Sequence, residues 1–314
     1  MSAYPEAVRL VEMLPRDGFQ RYDEFVPTDQ KVALIDKLSR TGVEEIEISS
    51  FTHPEAVPAL RDADEVARRI DRLPGVSYRA LVPNAVGMER AIAADVDKVN
   101  ALVTVSERYS ARNQGMSVDA ILEEIDSIVE LAADTGITVE AGIGTSFYCP
   151  YEGKISMAAT LAVVDRVVAA GVDEVTLATT MGLADPVEIE RMFTEVFERH
   201  PELDVGLHLH DTNGMSLANT VVAMRCGVAR FDASHCGLGG GVVLPEGLEG
   251  VGNTPTEDLV QLLDRMEIAT GAAFDRVEAV AGRVAAELGL GAPSHVLMGG
   301  TVERVLETVA EDTR

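Results

Sequence analysis

Two histidines one residue apart, His208-Leu209-His210, lie in a stretch that reads as a β-strand. On a strand, residues i and i+2 project from the same face, so both imidazoles point the same way. Two imidazoles joined by a carboxylate can hold a divalent cation. Asp17, in Pro15-Arg16-Asp17-Gly18-Phe19-Gln20, is the best-placed carboxylate, and an amide oxygen could add a fourth ligand. Such mixed donors suit Mg2+ or Mn2+, and imidazole also suits Zn2+ or Co2+. The three cysteines, Cys149, Cys226 and Cys236, form no thiolate cluster in sequence, which argues against structural zinc. The competing reading of His208 and His210 is one buried, hydrogen-bonded histidine and one turned elsewhere. The Arg16-Asp17 pair at the end of another strand favours the metal. Arg16 would face the same cavity and could stabilise an enolate or carboxylate oxygen, or it could simply pair with Glu47 or Asp17. Asn253 precedes Thr254-Pro255-Thr256, which can cap the next helix, so Asn253 is free for a site. The run Gly237-Leu238-Gly239-Gly240-Gly241 is too common a pattern to assign phosphate binding and reads as a loop.

These residues need elements that deliver them to one place. A local pattern recurs at Thr41-Gly42-Val43, Thr135-Gly136-Ile137, Ala170-Gly171-Val172 and Cys226-Gly227-Val228, with Ala94-Asp95-Val96 as a degenerate copy. Each copy reads as a helix ending at a left-handed glycine, followed by a short Val- and Ile-rich strand. Before the glycine the apolar residues have helical period, as at Val32, Ile35 and Leu38. Eight strands are expected, near residues 8–14, 46–50, 78–82, 99–105, 139–145, 175–179, 205–210 and 231–234. Alternating strands and helices imply an α/β fold with a parallel sheet and right-handed crossovers. Eight units close into a (β/α)8 TIM barrel. An open doubly wound sheet is the competitor, but no Gly-rich dinucleotide loop follows the first strand. The expected organisation is a single domain, with a barrel over about residues 5–265 and a C-terminal helical extension over about 266–314. In a barrel, chemistry sits at the C-terminal ends of the strands, and the polar residues above cluster there.

The 314 residues carry 52 acidic and 26 basic side chains, a net charge of −26. This excludes a non-specific nucleic-acid binder and attachment to an anionic membrane surface. No apolar run reaches the roughly 20 residues needed to span a bilayer. The first residues carry Glu6, Arg9 and Glu12 and do not read as a signal peptide. Three widely spaced cysteines fit a reducing compartment, and a cytoplasmic enzyme is expected. Lys31, Lys37, Lys98 and Lys154 are the only lysines. An acidic, Lys-poor chain fits a salt-loaded cytoplasm, and an Arg-rich GC-biased genome explains the second feature equally well.

Together these residues resemble the 3-hydroxy-3-methylglutaryl-CoA lyases, within a larger group of metal-dependent lyases and synthases on TIM barrels. The similarity spans about residues 8–263. It includes Pro15-Arg16-Asp17-Gly18-Phe19-Gln20, Glu47-Ile48-Ser49-Ser50-Phe51, Pro83-Asn84 and His208-Leu209-His210-Asp211-Thr212-Asn213-Gly214. It continues in Gly237-Leu238-Gly239-Gly240 and Gly252-Asn253. The most specific run is Cys149-Pro150-Tyr151-Glu152-Gly153-Lys154-Ile155-Ser156, which is typical of the lyase branch.

The resemblance implies that Asp17, His208, His210 and Asn253 hold a divalent cation, Mg2+ or Mn2+. It implies a retro-Claisen cleavage of an acyl-CoA substrate, with Arg16 stabilising the enolate, as in leucine degradation. Gln20, Glu47 and Asn113 would surround the substrate. A related aldolase or condensing synthase, or a catalytically weak metabolite-binding barrel, are the alternatives. Three departures stand out. Gly241 replaces the family's loop cysteine, the loop that follows is longer, and Thr179 replaces an acid on the sixth strand. A positioned acid or base contributes ~10²–10⁴-fold in rate, so these losses matter. Cys236 is the candidate substitute proton donor, with His235 beside it, although a small buried structural cysteine is the favoured alternative. Thr179 is expected near the substrate. A polyanionic CoA thioester would need a basic mouth, for which Arg16, Arg108, Arg112 and Lys154 are candidates. Barrels with such helical additions often pair, so a homodimer or higher homo-oligomer is expected.

Overall fold

The computed structural model describes residues 4–20, 24–240, 244–247, 252–291 and 293–312. Eight parallel strands close into a barrel: β1 (Arg9–Glu12), β2 (Glu45–Ser50), β3 (Ser77–Val82), β4 (Lys98–Thr104), β5 (Thr138–Gly144), β8 (Glu174–Ala178), β9 (Asp204–His208) and β10 (Arg230–Ala233). Around the barrel β1 pairs with both β2 and β10, so no edge is left open. A small hairpin of β6 (Tyr148–Cys149) and β7 (Gly153–Lys154) sits in the loop after β5. This is the (β/α)8 TIM barrel expected from the sequence.

The helix–glycine–strand repeat has the expected cause. Gly171 and Gly227 end their helices in the left-handed region, at φ 93° and 110°. Asp95, which replaces glycine in the degenerate copy, takes the same region at φ 53°. Aspartate tolerates that conformation better than most side chains.

Two strands end two residues earlier than the sequence suggests. β1 stops at Glu12 because the Met13 carbonyl accepts from the amides of Arg16, Asp17 and Gly18 at 3.2, 2.8 and 3.2 Å. The chain turns there into a π-helical turn, Leu14–Gly18. β9 ends at His208, and His210 instead forms an isolated bridge with Asn253.

The barrel interior is not the stack of branched aliphatics usual in this architecture. Arg79, Lys98 and Arg230 are buried there among Glu45, Glu47 and Glu140. Arg79 pairs with Glu140 at 2.8 Å, Lys98 with Glu45 at 3.0 Å, and Arg230 with Glu140 at 3.1 Å. The apolar core lies between the strands and the surrounding helices. The C-terminal extension joins that core through Val277, Ala281 and Val284 of α10 (Phe274–Glu287). Asp258 anchors the next helix, α11 (His295–Gly299), by accepting from the Val296 amide at 2.8 Å. On the last helix, α12 (Val302–Asp312), Val302, Val305 and Leu306 are exposed. Among the described residues no helix is long and apolar enough to cross a membrane.

Candidate active site

The π-helical turn after β1 lifts Arg16 and Asp17 over the C-terminal mouth of the barrel, and β9 delivers His208 to the same place. Asp17, His208 and His210 are all buried, and one ligand atom from each lies within 4.8 Å of the others. The two imidazoles meet edge to face, with Nε2 atoms 3.3 Å apart. The i, i+2 expectation for His208 and His210 holds although His210 lies just beyond β9.

Asn253 completes the group. Its amide nitrogen donates to Asp17 Oδ2 at 2.7 Å and to the Leu238 carbonyl at 2.9 Å. Both partners are acceptors, which fixes the amide's orientation and turns Oδ1 away from them. That Oδ1 is buried and has no hydrogen-bond partner among the described residues. A buried acceptor without a donor is costly unless something positive fills the gap. The Gly-rich loop closes over this pair. A side chain at Gly239 (φ 140°) would collide with both Asn253 Nδ2 and Asp17 Oδ2. Two imidazoles, a carboxylate and an orphaned amide oxygen fit a divalent cation.

The electrostatics agree with that role. Burial raises the pKa of Asp17, but Arg16 and the two imidazoles outweigh it and hold the carboxyl below its usual range. Burial, then His208, push His210 down to about 3, which leaves it neutral. Arg16 is charged and tightly held. It pairs with Glu47 through Nε and with Asp17 through Nη1 at 2.6 Å. Gln20 donates to Asp17 Oδ1 at 2.6 Å and to the Gly240 carbonyl at 3.1 Å.

Arg16, Asp17, Gln20, His208 and His210 line a cavity open to solvent, together with Asn113, Thr180 and Asp232. Gln20 and Asn113 both face this cavity. Thr145 and Thr180 flank it in left-handed conformations, φ 55° and 31°, and the Thr145 amide donates to Thr180 Oγ1 at 2.7 Å. Such strain in β-branched residues gathers at functional sites.

Three expectations need correction. Glu47 does not line the cavity. It is fully buried behind Arg16, which it positions. Thr179 does not line it either. Its hydroxyl accepts from the His210 amide at 3.0 Å, and its neighbours Ala178 and Thr180 face the cavity instead. Cys236 is not among the residues of this cavity. It occupies a left-handed turn (φ 61°), and its thiol donates to the Ala281 carbonyl of α10 at 3.3 Å. Burial and the nearby Glu257 push that thiol well above the ordinary range, so it stays protonated. His235 is likewise turned away, with Nδ1 2.6 Å from Glu12. Gly241 lies outside the described residues.

Glu12 and Asp232 also support the site, although neither was expected there. Glu12 is fully buried at the end of β1. It accepts from the amides of Leu14 and His235, each at 3.0 Å, and from Thr256 Oγ1 at 2.7 Å. It so ties the turn carrying Asp17 to the segment that follows Asn253. Asp232 Oδ2 lies 3.0 Å from His208 Nδ1. The available signal was a carboxylate inside an apolar strand, in register with His208 across the β9–β10 pair.

The sequence model of the HMGL-like family matches residues 7–284. The chain belongs to that family. It is 36% identical over 294 residues to hydroxymethylglutaryl-CoA lyase YngG of Bacillus subtilis (strain 168), covering 94% of this chain and 97% of the relative. It is 37% identical over 271 residues to the mitochondrial hydroxymethylglutaryl-CoA lyase of Homo sapiens, covering 86% and 82%. Among solved structures, an HMG-CoA lyase from Acinetobacter baumannii in complex with coenzyme A and 3-methylmalate superposes with a TM-score of 0.90. The identity there is 34%, over 96% of this chain and 98% of that one. This HMGL-like chain is thus a carbon–carbon lyase resembling the hydroxymethylglutaryl-CoA lyases.

Proposed function

We propose that this chain cleaves 3-hydroxy-3-methylglutaryl-CoA to acetoacetate and acetyl-CoA, with Mg2+ or Mn2+ as cofactor. The observation that carries this reading is the convergence of Asp17, His208 and His210 beside the Arg16 guanidinium, with Asn253 bonded to Asp17 through its nitrogen and its Oδ1 left without a partner among the described residues. Those four residues would hold the cation. When bound, it would lower the pKa of the substrate's tertiary hydroxyl and orient it.

The chain's own residues supply the rest. Transfer of the hydroxyl proton to water in the open cavity lets the bond between the hydroxyl-bearing carbon and the thioester's α-carbon break, leaving the ketone of acetoacetate. The electron pair passes to the thioester oxygen as an enolate, whose α-carbon takes a proton back from water to give acetyl-CoA. Arg16, held by Glu47 and Asp17, presents a fixed positive charge to that oxygen. Preorganised charge of this kind costs no reorganisation as the enolate forms. Gln20 and Asn113 offer amides to the substrate's acyl part. Cys236 has no part in this reading, because its thiol faces Ala281. The nucleotide end of the substrate would meet Arg108 and Arg112 at the mouth. Arg112 stacks over Tyr151 at 4.4 Å, and Arg108 reaches the Tyr151 carbonyl at 3.4 Å. Lys154 contributes less, since Glu188 already pairs with it at 2.5 Å. The free cysteines support a reducing compartment, and the apolar stripe of Val302, Val305 and Leu306 on α12 supports a homo-oligomer.

A related aldolase or condensing synthase on another branched 3-hydroxyacyl substrate is the second reading. Thr179, in place of the sixth strand's acid, favours it. The deciding experiment incubates purified protein with Mg2+ or Mn2+, the substrate and a thiol, and follows acetoacetate. Metal-dependent product that a chelator abolishes is the expected result. No product at high enzyme concentration overturns the first reading. Turnover of another branched thioester then selects the second, and saturable binding without turnover selects a metabolite-binding barrel.

A further inference from the structure

We propose that Arg79 and Asp232 are positioning residues, and that a buried bridge of ion pairs through the barrel fixes Arg16 and the ligand nitrogen of His208 together. This rests on the cation site proposed above.

The bridge runs Arg16–Glu47–Arg79–Asp232–His208. Glu47 Oε1 takes Arg16 Nε, and Glu47 Oε2 lies 2.5 Å from Arg79 Nε. Arg79 Nη2 lies 3.5 Å from Asp232 Oδ2, which is 3.0 Å from His208 Nδ1. Arg79 and Glu47 are fully buried, and Asp232 is nearly so. Arg79 stands on β3 and Asp232 on β10, which the barrel order separates by β2 and β1. The guanidinium therefore spans the interior and links walls that share no ladder hydrogen bonds. A planar fork can hold two carboxylates at fixed separation, which the single ammonium of lysine cannot.

The consequence at His208 is chemical. An imidazole torsion is broad and roughly two-fold, so the strand alone does not say which nitrogen faces the cavity. Asp232 Oδ2 is shared by the Arg79 guanidinium at 3.5 Å and His208 Nδ1 at 3.0 Å, and a carboxylate oxygen paired with a guanidinium acts as an acceptor. His208 must then carry its proton on Nδ1. That leaves the lone pair on Nε2, the atom facing His210. A carboxylate behind a ligating histidine also raises its basicity, and losing such support costs about 10–100-fold in metal affinity. Arg79 would thus bias two groups from one place, the enolate-stabilising Arg16 through Glu47 and the cation ligand His208 through Asp232.

Two measurements test this. In metal-free wild-type protein, ¹⁵N NMR of histidine-labelled chain, with His208 assigned through His208→Gln, should show the Nδ1-protonated tautomer. An Nε2-protonated His208 overturns the proposal and needs no variant in the bridge to fold. Electron paramagnetic resonance titration with Mn2+ should then show Asp232→Asn binding about 10–100-fold more weakly than wild type, at unchanged circular dichroism. Equal affinity overturns the positioning role. Absence of saturable Mn2+ binding by the wild type overturns the cation site itself, a distinct failure.

Discussion

Replacing Asn253 by aspartate changes one atom and reverses the electrostatics of the site. In the wild type the Asn253 amide donates to Asp17 Oδ2 at 2.7 Å and to the Leu238 carbonyl at 2.9 Å. In Asn253→Asp an oxygen takes the donor's place, opposite two acceptors. Two like charges 2.7 Å apart repel by roughly 6 kcal/mol at an effective dielectric constant of about 20. Proton uptake by the pair relieves part of that. The lost hydrogen bonds add about 1.5–3 kcal/mol for the charged one and about 0.5–1.5 for the neutral one. Metal-free Asn253→Asp should therefore be less stable by several kcal/mol, a Tm drop on the order of 10 °C for a chain of this size. A divalent cation between the two carboxylates turns the repulsion into attraction. Ligand binding to the folded state alone raises stability by mass action, so Mn2+ should restore much more Tm in the variant than in the wild type. Thermal unfolding in chelator and in saturating Mn2+ measures both numbers. Equal Mn2+ gains in the two proteins would refute the placement of Asn253 Oδ1 at the cation. A metal-free variant as stable as wild type would refute the Asn253–Asp17 hydrogen bond.

Asp17→Asn and His208→Ala should each abolish metal-dependent cleavage in the acetoacetate assay, and retained turnover would move the cation elsewhere. Cys236→Ser should leave kcat within about two-fold, whereas a general acid would cost ~10²–10⁴-fold. His235 is buried against Glu12, and that carboxylate outweighs burial to raise its pKa. The stability this pair contributes through His235 is complete below about pH 6.5 and is lost as pH rises through the higher folded value. An NMR titration of His235 with a midpoint at or below that of free histidine contradicts the assignment.

The fold was legible because each unit announces itself locally. Apolar residues at helical spacing, a left-handed terminus at Gly171 or Gly227 and a short strand recur along the chain. Asp17, His208, His210 and Asn253 were legible for a related reason, since polar residues at strand ends have little cause to be there except chemistry. Of the support beneath them, only the Arg16–Glu47 pair was open to view in the sequence. Glu47, Arg79 and Asp232 neutralise one another across the barrel, and pairing between such distant residues leaves no period in the sequence. Cys236 shows the opposite failure. Its position at a strand end allowed the cavity, but the left-handed turn at Cys236 packs its thiol against α10, which is the alternative of a buried structural cysteine. Thr179 spends its hydroxyl on the His210 amide, a local bond that residue type alone does not reveal.

The charged barrel interior divides the molecule into two electrostatic compartments. The net charge of −26 resides largely on surfaces reached by counter-ions, where salt screens repulsion within a Debye length of about 8 Å at physiological ionic strength. Arg79, Glu47 and Glu140 are fully buried, so dissolved ions do not reach the pairs that hold the site. Ionic strength therefore acts on the shell and the mouth, easing self-repulsion and weakening the attraction of anionic substrates, while the floor of the cavity stays as it is. A barrel wired in this way can tolerate wide changes in salinity, and in the acidity of its own exterior, without retuning its chemistry.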